Sequence, residues 1–401
     1  MPLPGLPPYL LRLRDRLRSD EPGRWEWFAS DRWAEDYAES VRLELLQSTY
    51  RMDEAGHGEL HAIARRALAA LELDVPVTFY QAQSGDSAGM NASLCFLPGE
   101  AHIILRGPVL ATLREAELAA LMGHELAHYR LWTVEDGTLR TAADVIESIV
   151  AHPGASPSHV STALRARRYA EIYADRGSHA VCNDPRPVIA CLVKVHTGLT
   201  EVNAESYVRQ ADEIFAKKAI SSEGTSHPET FIRARAIWMW QEKGPEAEPA
   251  IASMVQGATS LDTLDLLEQT EVADHTRALL AHVLEPGWFR SDAVLAHARA
   301  FFPDEDPTTF ARRSFDLANA HPSIREYLAY VMLDFAVVDE ALGEVGLAHA
   351  WTQADALGIA EPFEKVAREE LKMTKRAFED FRKQIPALLT RAVEQVTAEA
   401  T

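Results

Sequence analysis

Two histidines and a glutamate stand close together in the segment His124-Glu125-Leu126-Ala127-His128. Residues four apart lie on one face of an α-helix, one turn apart, so both imidazoles can bind the same metal ion. Glu125 can then reach a water on that ion and act as its base. Because neutral histidine nitrogens are common zinc ligands, the spacing predicts a zinc site with a general base.

The alternative is a surface helix that carries two polar histidines, since this short motif also arises by chance. The surrounding sequence argues against it. Residues 115–123 are rich in helix formers and contain no proline, and an apolar side is formed by Leu118, Leu121, Met122 and Leu126. Gly123 has no side chain, so another backbone can approach the helix there. We therefore expect a packed helix whose histidines need polar partners.

The third metal ligand must come from elsewhere in the chain. A metzincin would have glycine and histidine where this chain has Leu131 and Val134, so that class is excluded. A thermolysin-like spacing points near Glu147, but residue 151 is alanine and no acidic residue follows one turn later.

Glu171 is the better candidate for the third ligand. Glu171 and Asp175 are four residues apart on a second proline-free helical stretch. Glu171 would bind the metal, and Asp175 would accept a hydrogen bond from the free ring nitrogen of His124 and orient it. The alternative for this pair is an ordinary surface helix with an Asp–Arg ion pair.

The segment from about Leu73 to Trp240 resembles the HtpX and type 1 CAAX-prenyl-protease family of gluzincin metallopeptidases. The matching elements come in the family's order: Val75–Tyr80, Asn91-Ala92, Ala101–Leu105, the metal helix, Glu171-Ile172-Tyr173-Ala174-Asp175-Arg176, and Ser226-His227-Pro228 followed by Arg233. The tetrahedral oxyanion needs a further hydrogen-bond donor, for which His227 is the first candidate and Arg233 the second. In some relatives the equivalent histidine instead caps the metal and keeps the enzyme latent.

We predict an α+β, mostly helical fold, in which a zincin-like domain with a small antiparallel sheet precedes an all-α C-terminal domain. Ser93–Phe96 and His102–Leu105 form a hairpin across a Pro-Gly turn, which leaves an edge strand for an extended substrate. The predicted blocks are a helical region at 1–72, the metallopeptidase domain at 73–242, a linker at 243–254, and the C-terminal domain at 255–401.

The C-terminal block weakly resembles the TerB-type helical module between residues 327 and 359. A generic helical domain that docks a protein partner fits the same pattern.

Composition predicts a soluble cytoplasmic protein without nucleic acid partners. The formal net charge of -20 disfavours nucleic acid and anionic membranes. Cys95, Cys182 and Cys191 form neither a disulfide framework nor a zinc pair. No stretch approaches the roughly 20 apolar residues of a membrane helix, and the proline-broken N-terminus is not a signal peptide. The best-known family members are membrane proteins, so this chain is expected to act on a soluble substrate without membrane insertion.

These observations predict a zinc metalloendopeptidase that cleaves protein or peptide substrates. His124, His128 and Glu171 would hold one zinc ion, and Glu125 would be the general base. The alternative is a non-catalytic or latent zinc-binding protein that acts through its C-terminal domain in a stress response. Glu125 argues against that alternative, because a structural zinc site needs no base.

Overall fold

The computed structural model describes residues 3–83, 89–217, 221–222, 225–312, 317 and 320–399, with the side chains of all of these except 31–37 and 395–399. The chain divides into two compact units, Met1–Gly257 and Ala258–Thr401. Helices predominate in the first unit, and one sheet accompanies them, in agreement with the predicted α+β class.

Twelve helices and four strands of the first unit are described, besides short 3-10 turns. In chain order they are α1 (Pro8–Asp20), α2 (Pro22–Phe28), α3 (Asp31–Ser48), β1 (Thr49–Met52), α4 (Gly58–Ala70), β2 (Val77–Ala82), β3 (Asn91–Leu97), β4 (Glu100–Arg106), α5 (Val109–Thr112), α6 (Glu115–Thr133), α7 (Thr138–Val150), α8 (Pro157–Cys182), α9 (Pro185–Thr197), α10 (Ala204–Lys217), α11 (Thr230–Lys243) and α12 (Glu248–Gln256).

The sheet has the strand order β1-β2-β4-β3. The predicted hairpin is confirmed, because β3 and β4 pair antiparallel with Leu94 opposite Ile103. β1 also pairs antiparallel with β2, but β2 and β4 are parallel, so the sheet is mixed and not wholly antiparallel. β1 lies in the region predicted to be helical. Only Met52 of its four residues is buried, so the strand has no apolar alternation by which to predict it.

The helices α6 and α8 pack closely at two glycines. A Cβ atom built on Gly123 would lie 2.9 Å from Ser178 Cα, and one built on Gly177 would overlap Ala127 Cβ. The close approach expected at Gly123 is therefore confirmed. Ser178 Oγ donates to the carbonyl oxygen of Ala120 at the same crossing. The missing side chains let the metal helix and the neighbouring helix lie nearly backbone to backbone.

A buried ion pair holds α6 against α9. Lys194 Nζ donates to Glu117 at 2.8 Å, and Lys194 is 1% exposed. Glu117 also accepts from the backbone N–H of Arg114 at 2.8 Å, which caps the start of α6. Three contacts therefore fix α6: the glycine crossing, the buried lysine and its own cap.

The segment predicted as a linker, 243–254, is helical. A 3-10 turn spans Gly244–Ala247 and α12 follows it. Arg168 donates to the carbonyl oxygen of Val255, so the end of α12 is tied to α8. Pro245 and Pro249 are the second residues of these two helices, in the first turn where proline is tolerated, although the same residues give the sequence a linker composition.

The second unit is helical throughout its described residues. Its main helices are α13 (Leu266–Val283), α14 (Asp292–Phe301), α15 (Pro322–Val337), α16 (Gly343–Ala356), α17 (Ala360–Glu370) and α18 (Lys375–Glu399). A core of its own contains four fully buried phenylalanines, Phe289, Phe335, Phe363 and Phe378. Within the described part of the whole chain, no helix is both long and apolar enough to cross a membrane.

Replacing Gly177 by alanine should destabilise the first unit. The added methyl group overlaps Ala127, and overpacking of this kind costs about 1–3 kcal/mol, which outweighs the better helix propensity of alanine. Thermal unfolding would therefore begin at a lower temperature. Gly23→Ala is the matched control, because a Cβ on this α2 residue meets nothing within 4 Å. Equal thermal stability of both variants would contradict the close crossing.

Candidate metal centre

Three potential ligand atoms converge where α6 crosses α8. His124 and His128 lie one turn apart on α6, and Glu171 faces them from α8. The Nε2 atoms of the two histidines are 3.2 Å apart. The Glu171 carboxylate lies 3.5 Å from His124 Nε2 and 3.4 Å from His128 Nε2. These residues form a cluster that can hold a metal ion.

The three separations match a tetrahedral metal site. Zinc bonds nitrogen and oxygen at about 2.0–2.1 Å, so two ligands of a tetrahedron lie about 3.3 Å apart. The two histidine nitrogens are 3.2 Å apart, and each has one oxygen of Glu171 at a similar distance, Oε2 at 3.5 Å from His124 and Oε1 at 3.4 Å from His128. Two imidazoles and one carboxylate also form a donor set that zinc accepts in catalytic sites. The residues therefore fit the ion and leave one position for water.

Asp175 lies one turn beyond Glu171 and contacts the rear of His124. His124 Nδ1 is 3.1 Å from Asp175 Oδ1, so the imidazole can donate there and turn Nε2 toward the ligand cluster. Arg233 of α11 holds the same carboxylate from its other side, with Nε 2.8 Å and Nη2 2.6 Å from the two oxygens. Arg233 Nη1 also lies 3.0 Å from Glu171 Oε2.

Arg233 keeps both carboxylates ionised. Burial opposes ionisation, but the adjacent guanidinium and the hydrogen bonds from the histidines together outweigh it, and they hold the pKa of Glu171 well below its usual range and that of Asp175 below its own. Burial also disfavours a charged His124, yet its hydrogen bonds to Asp175 and Glu171 raise the pKa of His124 to about 10. A metal ion must therefore displace a proton from His124 when it binds.

Glu125 borders a cavity of about 380 Å³ that contains the ligand cluster. Its side chain is buried in the wall of this cavity, next to His124. The strand β3 lines the same cavity with residues Asn91 to Leu94 and Phe96. The predicted base, the predicted ligands and the edge strand therefore meet in one space.

His227 reaches the same cluster from the segment before α11. His227 Nε2 lies 3.5 Å from Glu171 Oε1, and the side chain is 65% exposed. Ser226 Oγ lies 2.8 Å from His227 Nδ1, and Thr225 Oγ1 donates to the His227 carbonyl at 2.9 Å. The imidazole thus stands on the solvent side of the ligand cluster.

Two residues at the cavity have no sequence motif that could have predicted them. Trp132 follows His128 by one helical turn, and that spacing was the only signal for it. Arg140 of α7 lies over the Phe96 ring, with Cζ 5.3 Å from the centroid.

Glu147, the rejected third ligand, forms an exposed ion pair with Arg167. Tyr173 is fully buried and accepts from Arg130 at 2.6 Å, so its hydroxyl is committed there.

Comparison with known proteins supports the chemistry of this arrangement. Residues 54–241 match the model of peptidase family M48. This matched range, the M48 segment, contains both histidines of the cluster, Glu171 and Arg233. It starts before residue 73, where we predicted the domain to begin, and so it includes α4. Residues 54–241 are therefore similar to the peptidases of this family.

One curated M48 relative is the plastoglobule-localized metallopeptidase 48, chloroplastic, of Arabidopsis thaliana. It is 24% identical over 202 residues, which cover 45% of this chain and 56% of the relative. The chain therefore matches little more than half the length of that protein. No solved structure matches the chain significantly.

We predict that the purified protein binds about one zinc ion per chain and that Glu171→Ala sharply reduces this content, because one of three protein ligands is lost. Inductively coupled plasma mass spectrometry measures the zinc content of the purified proteins. Glu147→Ala is the matched control, since that carboxylate pairs with Arg167 away from the cluster. Full zinc content in Glu171→Ala, or its loss in Glu147→Ala, would refute the ligand assignment.

Proposed function

We propose that this protein is a zinc-dependent metalloendopeptidase that hydrolyses peptide bonds in proteins or peptides. The observation that supports it best is the tetrahedral spacing of His124, His128 and Glu171 beside the carboxylate of Glu125. We further propose that its catalytic domain belongs with the HtpX and type 1 CAAX-prenyl-protease group of the M48 family and that it acts in the cytoplasm. No nucleic acid substrate is proposed, because the chain has a formal net charge of -20.

Bound zinc would lower the pKa of a coordinated water and polarise the scissile carbonyl. The chain's own residues do the remaining work. Glu125 accepts a proton from the attacking water and passes it to the leaving amine, as a general base and then a general acid. His124, held by Asp175, keeps the orientation that the site requires.

The oxyanion needs a hydrogen-bond donor. We assign this role to His227 as the first candidate and to Arg233 as the second. All three guanidinium nitrogens of Arg233 contact the carboxylates of Glu171 and Asp175. We therefore propose Arg233 as a positioning residue that fixes the third ligand and the partner of His124. His227 is exposed on the solvent side and has an Nε2 atom near the cluster, which suits a donor. The same position also suits a cap that keeps the enzyme latent.

An extended substrate can pair with β3. This strand has one strand neighbour, β4, within the described residues, and it lines the cavity that contains the metal cluster. Main-chain hydrogen bonds to an edge strand bind a peptide without regard to its side chains. They would place the scissile bond beside Glu125.

For the second unit, residues 258–401, we keep the proposal of a TerB-like or generic helical module that binds a protein partner.

Glu125→Gln should keep its zinc and its fold but lose at least about a hundredfold in activity, because a positioned base is removed. Cleavage of fluorescent casein by the zinc-loaded proteins measures this. Glu115→Gln is the matched control: it lies on the same helix, 72% exposed, and pairs with Arg66. Wild-type turnover in the Glu125→Gln protein would contradict the mechanism.

His227→Ala distinguishes the two roles of this histidine. If it donates to the oxyanion, its loss should raise the activation free energy by up to about 3 kcal/mol, which lowers kcat roughly a hundredfold. The zinc content should not change. If it caps the metal, casein cleavage should rise. His152→Ala is the control, since it alters another exposed His-Pro pair outside the cavity. Unchanged activity in His227→Ala would exclude both roles and leave His227 structural.

A further inference from the structure

A second cavity of the first unit opens beside the metal centre. Its volume is about 320 Å³. It shares its rim with the cavity of the metal cluster, and the shared residues are His128, Trp132, Arg140, Glu171 and His227. A group that extends from the cluster into this space must therefore pass two of the proposed metal ligands. The mechanism proposed above makes no use of it.

The interior of this cavity is mostly apolar. Three helices supply its walls: α1, α7 and α8 contribute Leu10, Leu13, Leu139, Ile146, Ala166 and Ala170. The leucines and the isoleucine are almost fully buried. The two alanines leave space where larger side chains would fill it. Binding sites for apolar groups typically have this composition, with few polar groups at the rim.

The charged groups at the cavity are already paired with each other. Arg140 Nε donates to Asp144 at 2.8 Å, and Arg167 Nε donates to Glu147 at 2.7 Å. Each positive charge therefore has a carboxylate beside it. A charged ligand group would have to compete with these pairs and lose its hydration, which is costly in an apolar site. An apolar group meets no such cost.

One wall of the cavity comes from outside the segment that matches the M48 model. Leu10 and Leu13 belong to α1, which precedes the M48 segment at residues 54–241. Helix α1 is fixed against α8 by the stacked rings of Tyr9 and Tyr169, whose centroids are 5.0 Å apart. The shape of the cavity thus depends on residues that the family model does not cover.

We propose that this cavity, the apolar subsite, binds a large apolar side chain, such as leucine or phenylalanine, of the substrate residue next to the scissile bond. The inference rests on the proposed peptidase function. An aromatic side chain can bury about 150–250 Å² in such a site. Because a hydrophobic pocket discriminates by about tenfold or more for small changes in size, the subsite would select where the substrate is cut.

A binding experiment can test the subsite independently of hydrolysis. Zinc-loaded Glu125→Gln protein is titrated with two fluorescein-labelled Gly/Ser peptides that differ only in a central phenylalanine or alanine, and fluorescence anisotropy gives both affinities. We expect the phenylalanine peptide to bind at least about tenfold more tightly. Adding Ala143→Leu, which fills the subsite from α7, should remove most of this preference. Ala151→Leu, at the exposed end of the same helix, should retain it.

Ala166→Leu fills the subsite from α8 and serves as the second test if Ala143→Leu fails to fold. Equal affinity for the two peptides, or a phenylalanine preference that survives a folded filling variant, would overturn the inference. Casein cleavage by the wild type tests the peptidase function separately. If casein is not cleaved but the phenylalanine preference holds and is lost in the filled variants, the cavity binds apolar side chains but the peptidase proposal fails, and with it the assignment of the cavity to a residue next to a scissile bond.

Discussion

The close crossing of α6 and α8 is the constraint on which the rest of the candidate site depends. His124 and His128 on one helix can share an ion with Glu171 on the other only if the helix axes are close. Gly123 and Gly177 make this possible, since a Cβ on either would press on the opposite helix. The ion pair of Lys194 with Glu117 and the cap at Arg114 then fix α6 along its axis. Backbone packing therefore sets the distances between the donor atoms.

Two carboxylates and one guanidinium, those of Glu171, Asp175 and Arg233, lie together beside the helix crossing. Glu171 and Asp175 are ionised, and Arg233 contacts both, so these three side chains together carry one excess negative charge. Without an ion, His124 can neutralise this charge by holding a proton, which agrees with its pKa of about 10. A divalent ion bound in place of that proton would give these side chains and the ion together one net positive charge, beside the carboxylate of Glu125. A positive centre of this kind stabilises the negative charge that develops on a carbonyl oxygen during hydrolysis.

Local sequence patterns were enough to predict the helices that carry the ligand cluster and to identify its candidate residues. The four-residue spacings of His124 to His128 and of Glu171 to Asp175 are helical repeats, and the structure brings all four residues together. The β3–β4 hairpin followed in the same way from a turn between two apolar runs. These features depend on neighbours in sequence, where periodicity and turn chemistry act directly.

Features that depend on distant contacts could not be predicted in this way. The strand β1 is short and mostly exposed, and its place is set by pairing with β2. The parallel pairing of β2 with β4 is likewise a long-range contact. The segment at 243–254 has linker composition, yet Arg168 ties α12 to the first unit. Helix α1 belongs to an apolar wall beside the metal cluster, and no pattern in its sequence relates it to residues more than a hundred positions later.

X-ray absorption spectroscopy at the zinc edge is the most direct measurement of the central claim. Zinc-loaded wild-type protein should show only nitrogen and oxygen neighbours, about four in number at about 2.0–2.1 Å, with the multiple scattering of two imidazoles. The zinc that His128→Ala still binds should show one imidazole contribution fewer. A sulfur neighbour near 2.3 Å, or a first coordination sphere without imidazole, would place the zinc elsewhere in the chain and contradict the account.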